Sequence, residues 1–248
     1  MRKIYLLPNM ITTANMACGF YSVIACLDGD FVQASWAIVF ASIFDALDGR
    51  IARLAKATSQ FGVEYDSLSD LASFGFAPAV LLYQWALHPY GRLGWLAAFL
   101  FMACGGLRLA RFNVTTSSLP KGFFQGLPIP MAAGVVATFI IFNDTLGWVS
   151  PDSDLLLNIQ SVGLFLSISL ASLMVSTIPF PSFKELNWRS RASFGLLMIG
   201  VLSMILIAVS PEISLFALLA LYILSSLVWN AFRLIRGVPL TGSMKVRS

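Results

Sequence analysis

The stretch from residue 45 to residue 70 reads DALDGRIARLAKATSQFGVEYDSLSD and carries four aspartates at helical spacing. Asp45 and Asp48 lie three residues apart near the end of one apolar run, and Asp66 and Asp70 lie four apart near the start of the next. Residues three and four apart share one face of a helix. Because the link between the two runs is short, we expect two antiparallel helices whose aspartates face one cavity.

The composition around this stretch is typical of an integral membrane protein. Of 248 residues, 58% are hydrophobic and only 11% are charged, and the mean hydropathy is +0.81. Soluble domains carry about 25% charged residues, and a membrane-spanning helix needs about 20 apolar residues. We therefore predict an all-α membrane protein of about eight spans. Residues 1–248 form a single domain in this prediction, with a catalytic core at about 8–191 and accessory helices at about 192–236.

The apolar runs and the basic residues together predict the topology. Runs of spanning length lie at about 10–27, 31–56, 63–87, 92–112, 128–147, 154–178, 192–210 and 213–236. Alternate threading of these runs leaves Arg92 on one side and the other 15 of the 16 Lys and Arg residues on the opposite side. Because cytosolic loops carry the basic excess, both termini and the aspartates are predicted to face the cytosol from a cell (inner) membrane. The net charge of +4 then reflects helix ends at anionic lipid, so no nucleic-acid partner is predicted.

The aspartate cluster predicts a metal site. An aspartate at the centre of a membrane helix costs about 2.5 to 3.5 kcal/mol, so several together need cationic compensation. Hard oxygen ligands suit Mg²⁺, Mn²⁺ or Ca²⁺, and the absence of His or Cys at suitable positions argues against zinc. The alternative is that Arg50, Arg53 and Lys56 neutralise the carboxylates directly.

Small residues accompany the aspartates on both helix faces. Gly49 and Ala52 share the face of Asp45 and Asp48, with Arg53 at its edge, while Gly62 and small or polar residues share the face of Asp66 and Asp70. Such faces leave space beside the carboxylates, as a phosphate-bearing ligand held through metal requires. Close packing of helices through small residues explains part of the pattern but not the aspartates.

The spacing Asp45-x2-Asp48-Gly49-x2-Ala52-Arg53-x8-Gly62-x3-Asp66-x3-Asp70 matches, without departure, the signature of the CDP-alcohol phosphatidyltransferases. The chain therefore resembles that family. The resemblance implies that Asp45, Asp48 and Asp66 hold divalent metal, as one or two ions. It also implies that Asp70 is the general base and a further metal ligand. The signature positions and Ser59 are implied to contact the CDP-lipid: Gly49, Ala52, Arg53, Ser59 and Gly62.

Three further segments resemble the branch of the family that uses serine as the acceptor. They are PNMITTANMACGF at 8–20, LRLARFN at 107–113 followed by FFQGLPIPMAA at 123–133, and MVSTIPFPSFKEL at 174–186. The implied reaction joins serine to the phosphatidyl group of CDP-diacylglycerol, giving phosphatidylserine and CMP. The resemblance also favours a homodimer.

Serine carries a carboxylate and an ammonium, so a selective site should present a guanidinium and oxygen acceptors. Arg108, Arg111 and Asn113 are the candidates, although both arginines are also explained as interfacial anchors. Asn9 and Thr12 are candidates for the CDP-lipid site, with helix capping as the alternative. Lys184 and Arg189 are either phosphate contacts or topology signals.

Two other functions remain open at this point. The first alternative is an enzyme of the same family whose acceptor is glycerol phosphate, inositol phosphate or another alcohol instead of serine. The second is a transporter whose cation site is the aspartate cluster, and transporters of that kind commonly show repeated halves. The sequence contains a single acidic cluster.

Overall fold

The computed structural model describes residues 6–54, 59–115, 123–147, 158–181 and 193–236. Across these residues the fold is all-helical apart from two strands of three residues each. The helices are α1 Leu6–Leu27, α2 Phe31–Leu54, α3 Gln60–Asp70, α4 Ala77–Leu82, α5 Arg92–Thr115, α6 Ile129–Leu146, α7 Ile159–Val175, α8 Ser193–Val209 and α9 Pro211–Ile235. The strands are β1 Phe123–Gln125 and β2 Pro179–Pro181.

The predicted all-α membrane architecture is confirmed. Each of the eight predicted runs corresponds to a helical segment, the third being the continuous series from Gln60 to Tyr90 that contains α3 and α4. Within the part of the chain that is described, five helices are long and apolar enough to cross a membrane: Leu7–Leu27, Phe31–Leu54, Arg92–Val114, Ile129–Leu146 and Pro211–Arg233. Ile159–Val175 and Gly200–Val209 are shorter apolar helices.

The third segment is not the regular helix that its hydropathy predicts. Directly after Asp70, residues Leu71–Phe76 form a π-helical turn, and a second π-helical turn covers Tyr83–Leu87. The Ala77 N–H donates to the carbonyl of Ala72, five residues back. The next residue, Pro78, has no N–H to continue the ladder, so the widened turn ends where α4 begins. π-helical turns are frequent at functional sites.

The bundle is organised around α6. Two thirds of this helix (67%) is buried, whereas only 17% of α9 is buried. α6 packs against both α2 and α9, and α1 packs along α2 and α3. The fully buried Phe74, Phe101 and Ile129 belong to the central core. The site aspartates belong to α2 and α3, and they lie where α1 packs against these two helices.

The two strands join connections that are distant in sequence. β1 pairs with β2 antiparallel, with Phe124 opposite Phe180. Gly126 follows β1 with a φ of +76°, and a Cβ there would collide with the carbonyl oxygen of Met174. Asn230 of α9 donates to the carbonyl of Pro179 at 2.9 Å. We call residues 123–127 and 174–181 the clasp.

Candidate active site

Three of the predicted metal ligands converge. Asp45 and Asp48 lie in the last turns of α2, and Asp66 lies in the second turn of α3. Each offers a carboxylate oxygen, and these three oxygens lie within 4.8 Å of one another. The sequence prediction that both aspartate faces meet in one place is met for these residues, which we call the triad.

The environment of the triad fits a divalent cation. Oδ1 of Asp66 is buried and has no hydrogen-bond partner among the described residues. Asp48 is 4% exposed, and its Oδ2 accepts a 2.8 Å hydrogen bond from Thr12 Oγ1. A buried carboxylate oxygen without a donor is costly, and three convergent carboxylates suit the hard cations Mg²⁺, Mn²⁺ and Ca²⁺.

A cavity of about 170 Å³ adjoins the triad. Its lining includes all seven residues predicted to bind the CDP-lipid: Asn9, Thr12, Gly49, Ala52, Arg53, Ser59 and Gly62. Asp48 and Asp66 form part of the same wall. The cavity thus places small residues, a guanidinium and two carboxylates around one space.

Local structure explains how some of these residues are held. Ser59 is the N-cap of α3, because its Oγ accepts from the backbone N–H of Gly62 at 3.0 Å. A Cβ on Gly62 would lie 3.2 Å from that oxygen and 3.6 Å from Asn9 Oδ1. The guanidinium of Arg53 lies beside Gly49, 3.7 Å from where a Cβ would stand. Glycine at both positions keeps the cavity open.

Asp70 and Arg108 occupy the inner side of the site. Asp70 is 9% exposed. Among the described residues, its carboxylate does not belong to the group of convergent oxygens that defines the triad. Arg108 of α5 is 7% exposed, and it interacts electrostatically with Asp70 and Asp45. Its guanidinium carbon lies 5.2 Å from the centroid of the Phe112 ring. A buried cation on α5 therefore interacts with the acidic centre formed by α2 and α3.

The other two residues predicted to bind serine have protein partners. Arg111 donates to backbone carbonyls of the clasp at Gln125, Met174, Val175 and Ser176, over 2.9 to 3.3 Å. Asn113 is exposed and donates to Ser67 Oγ at 2.9 Å. Their predicted contacts with serine stay predictions, and the observed bonds give Arg111 a structural role that the sequence did not indicate.

Sequence reasoning missed Asn15. This residue is 0% exposed, and its Nδ2 lies 3.5 Å from Asp70 Oδ1. A signal was present, because Asn9, Thr12 and Asn15 follow one another at spacings of three on α1. Arg50, considered above as a partner of the aspartates, lines a separate apolar groove. Lys56, Lys184 and Arg189 lie outside the described residues.

Fold and site together define a membrane-embedded helical protein with a carboxylate centre suited to a divalent cation. The chain belongs to the CDP-alcohol phosphatidyltransferase family, whose sequence model matches residues 5–176.

Curated relatives cover most of the chain. It is 33% identical over 235 residues to the CDP-diacylglycerol--serine O-phosphatidyltransferase of Helicobacter pylori (strain ATCC 700392 / 26695), covering 94% of each chain. It is 37% identical over 179 residues to the protein of the same name from Bacillus subtilis (strain 168), covering 72% of this chain and 92% of the relative. The archaetidylserine synthase of Methanothermobacter thermautotrophicus is 36% identical over 177 residues, covering 71% of this chain and 69% of the relative.

Proposed function

We propose that this protein transfers the phosphatidyl group of CDP-diacylglycerol to L-serine, producing phosphatidylserine and CMP. The observation that carries the proposal is the triad beside a cavity lined by the family's signature residues. The choice of serine rests on the relatives, since the three above are all named for serine or serine-lipid synthesis.

In this reaction the serine hydroxyl oxygen bonds to the phosphorus that carries diacylglycerol, and the bond from that phosphorus to the CMP oxygen breaks. CMP leaves with the bonding electrons. Asp70 accepts the hydroxyl proton as the attack develops, which is the general-base role. The burial of Asp70 and its electrostatic interaction with Asp45, Asp66 and Asp48 support this role.

Asp45, Asp48 and Asp66 would hold the metal, with Asp70 as the further ligand that the family resemblance implies. One or two Mg²⁺ or Mn²⁺ ions fit this donor set, and Ca²⁺ is an alternative. When bound, the metal would neutralise the negative charge of the diphosphate, and the transfer requires this neutralisation. Thr12 orients Asp48 through its 2.8 Å hydrogen bond.

The cavity residues would bind the nucleotide part of the lipid. Arg53 supplies the positive charge for a phosphate, while Gly49, Ala52 and Gly62 leave room for the CDP group to approach the helices. Asn9, Thr12 and Ser59 supply polar atoms at the rim.

Arg108 would bind the carboxylate of serine. Its guanidinium is buried and interacts electrostatically with Asp70, and a guanidinium pairs with a carboxylate through two parallel hydrogen bonds. Arg111 and Asn113 complete the proposed acceptor site from the same end of α5, and Arg111 also ties α5 to the clasp.

The protein would lie in the cell (inner) membrane as a multi-pass protein, with both termini and the active site facing the cytosol. The basic excess at one set of helix ends supports this orientation. We also propose a homodimer, on the family resemblance alone.

An acceptor panel tests the proposed function. The purified protein in detergent is given CDP-diacylglycerol, Mg²⁺ or Mn²⁺, and one alcohol at a time: L-serine, glycerol 3-phosphate or inositol phosphate. We expect CMP release that depends on serine and on metal. Release with another alcohol but not serine would contradict the proposed acceptor. The same protein in liposomes, showing metal flux but no CMP release, would favour the transporter alternative.

A further inference from the structure

We propose that Asn15 is a positioning residue that holds the carboxylate of Asp70 for attack by the acceptor alcohol. The proposal rests on the proposed function and extends it to a residue outside the family signature. Asn15 lies on α1, whereas Asp70 ends α3, so the pairing depends on how these two helices pack.

α1 presents a polar face to the aspartates. Thr12 and Asn15 are three residues apart and share a face of the helix. Thr12 donates to Asp48 at 2.8 Å, and Asn15 donates to Asp70 at 3.5 Å. α1 therefore supplies one neutral hydrogen-bond donor to a carboxylate of α2 and another to a carboxylate of α3.

The backbone of α1 is fixed at both donor residues. Ser69 Oγ donates to the carbonyl of Thr12 at 3.0 Å, and Ser73 Oγ donates to the carbonyl of Asn15 at 2.9 Å. These serines flank Asp70 on either side in the chain. Gly19 permits the close contact, since a Cβ there would collide with Ser73. The backbone that carries the Asn15 side chain is thus fixed relative to the segment that contains Asp70.

Asn15 is 0% exposed, and its Oδ1 has no hydrogen-bond partner within the described part of the chain. An unpaired oxygen at a fully buried site destabilises a fold. An apolar side chain of similar size would avoid that cost, so the amide is explained by what its NH₂ group does. Its partner is Asp70.

A donor on Oδ1 restricts rotation of the Asp70 carboxyl group. The remaining lone pairs of the two carboxylate oxygens stay free for the serine proton and for the metal that Asp70 would share with the triad. Because Asn15 acts through Asp70, its loss should lower kcat and leave substrate binding unchanged. Small misplacements of a reacting group cost up to about 100-fold in rate.

The experiment compares Asn15→Leu with Ser22→Ala in the purified full chain. Ser22 is a matched control because it also lies fully buried on α1, two turns further along, and its hydroxyl has no hydrogen-bond partner among the described residues. We expect Asn15→Leu to lower kcat by about 10- to 100-fold, with the KM values for serine and CDP-diacylglycerol unchanged. Mn²⁺ affinity, measured by electron paramagnetic resonance, should also be unchanged. Ser22→Ala should keep the wild-type kcat. Asn15→Ala serves if the leucine variant does not give a monodisperse protein.

A double-mutant cycle with Asp70→Asn makes the test specific. If Asn15 acts through Asp70, Asn15→Leu should cause no further loss of kcat in the Asp70→Asn background. An equal loss in both backgrounds, an unchanged kcat in the single variant, or recovery of kcat at raised Mn²⁺ would each overturn the proposal. If the wild type used another alcohol than serine, the proposed acceptor would be wrong. The same cycle run with that alcohol would still decide the role of Asn15.

Discussion

At the scale of single residues, the negative charge of the triad is expected to matter more than its shape. Asn is nearly isosteric with Asp but lacks the charge that holds a cation. Asp45→Asn, Asp48→Asn and Asp66→Asn should each abolish turnover at limiting metal, with partial recovery of at least one variant at excess metal. Turnover is measured as CMP release across a metal titration.

Asp30→Asn is the matched control for the triad variants. Asp30 lies at the other end of α2, and its Oδ1 accepts from the backbone N–H of Gln33 at 2.9 Å, a bond that the amide oxygen of Asn also makes. Its activity should equal that of the wild type. Near-normal activity of all three triad variants at limiting metal would show that the triad does not hold the metal.

The buried guanidinium of Arg108 leads to a second expectation at the same scale. Arg108→Lys keeps the charge but removes the planar fork that pairs with a carboxylate. The KM for serine should rise by about tenfold or more, corresponding to about 1.4 kcal/mol, while the KM for CDP-diacylglycerol stays close to that of the wild type. Steady-state kinetics with each substrate varied in turn measures both values.

Arg92→Lys is the control for Arg108→Lys because Arg92 lies at the opposite end of the same helix and is exposed. It should change neither KM. A raised KM for CDP-diacylglycerol with an unchanged KM for serine in Arg108→Lys would assign Arg108 to the nucleotide side of the site.

At the scale of elements, the clasp depends on one glycine. Gly126 has a φ of +76°, and its position is surrounded by the carbonyl oxygens of Met174 and Ser176 and by the Arg111 guanidinium. Gly126→Ala should lower the free energy of unfolding by about 1–3 kcal/mol, because a side chain is disfavoured at that φ and has no space. Thermal unfolding in detergent reports the change.

Gly200→Ala provides the comparison, since a Cβ at this helical position meets nothing within 4 Å. It should leave the melting temperature equal or slightly higher, because Ala has the better helix propensity. If Gly126→Ala melted at the temperature of Gly200→Ala, the clasp would not be a stabilising element.

The helices and the triad were predictable from sequence because their signals are local. Hydropathy locates each apolar run, and the spacing of Asp45, Asp48 and Asp66 fixes which helix faces carry them. The π-helical turn after Asp70 was not predicted, because it involves a change in backbone pairing that hydropathy does not register. The clasp was missed for a related reason, since Arg111 contacts backbone carbonyls, which every residue possesses. Asn15 was missed because its partner is set by the packing of α1 on α3.

At the scale of the whole molecule, the predicted orientation can be tested by labelling. In a background without the native cysteines, Asp28→Cys places a thiol in the exposed turn between α1 and α2, and Val114→Cys places one at the end of α5, where the side chain is 81% exposed. A membrane-impermeant maleimide should label the first variant in intact cells and the second only after permeabilisation. The reverse pattern would invert the proposed topology.

The most direct measurement of the central claim follows both products of one reaction. Purified protein is incubated with CDP-diacylglycerol, isotopically labelled serine and Mg²⁺ or Mn²⁺, and the label in extracted lipid is compared with the CMP formed. We predict equal amounts of labelled phosphatidylserine and CMP, with neither product formed when metal is chelated or in Asp66→Asn at limiting metal. CMP formed without labelled lipid, or labelled lipid formed at an undiminished rate in the chelated sample, would contradict metal-dependent phosphatidyl transfer to serine at the triad.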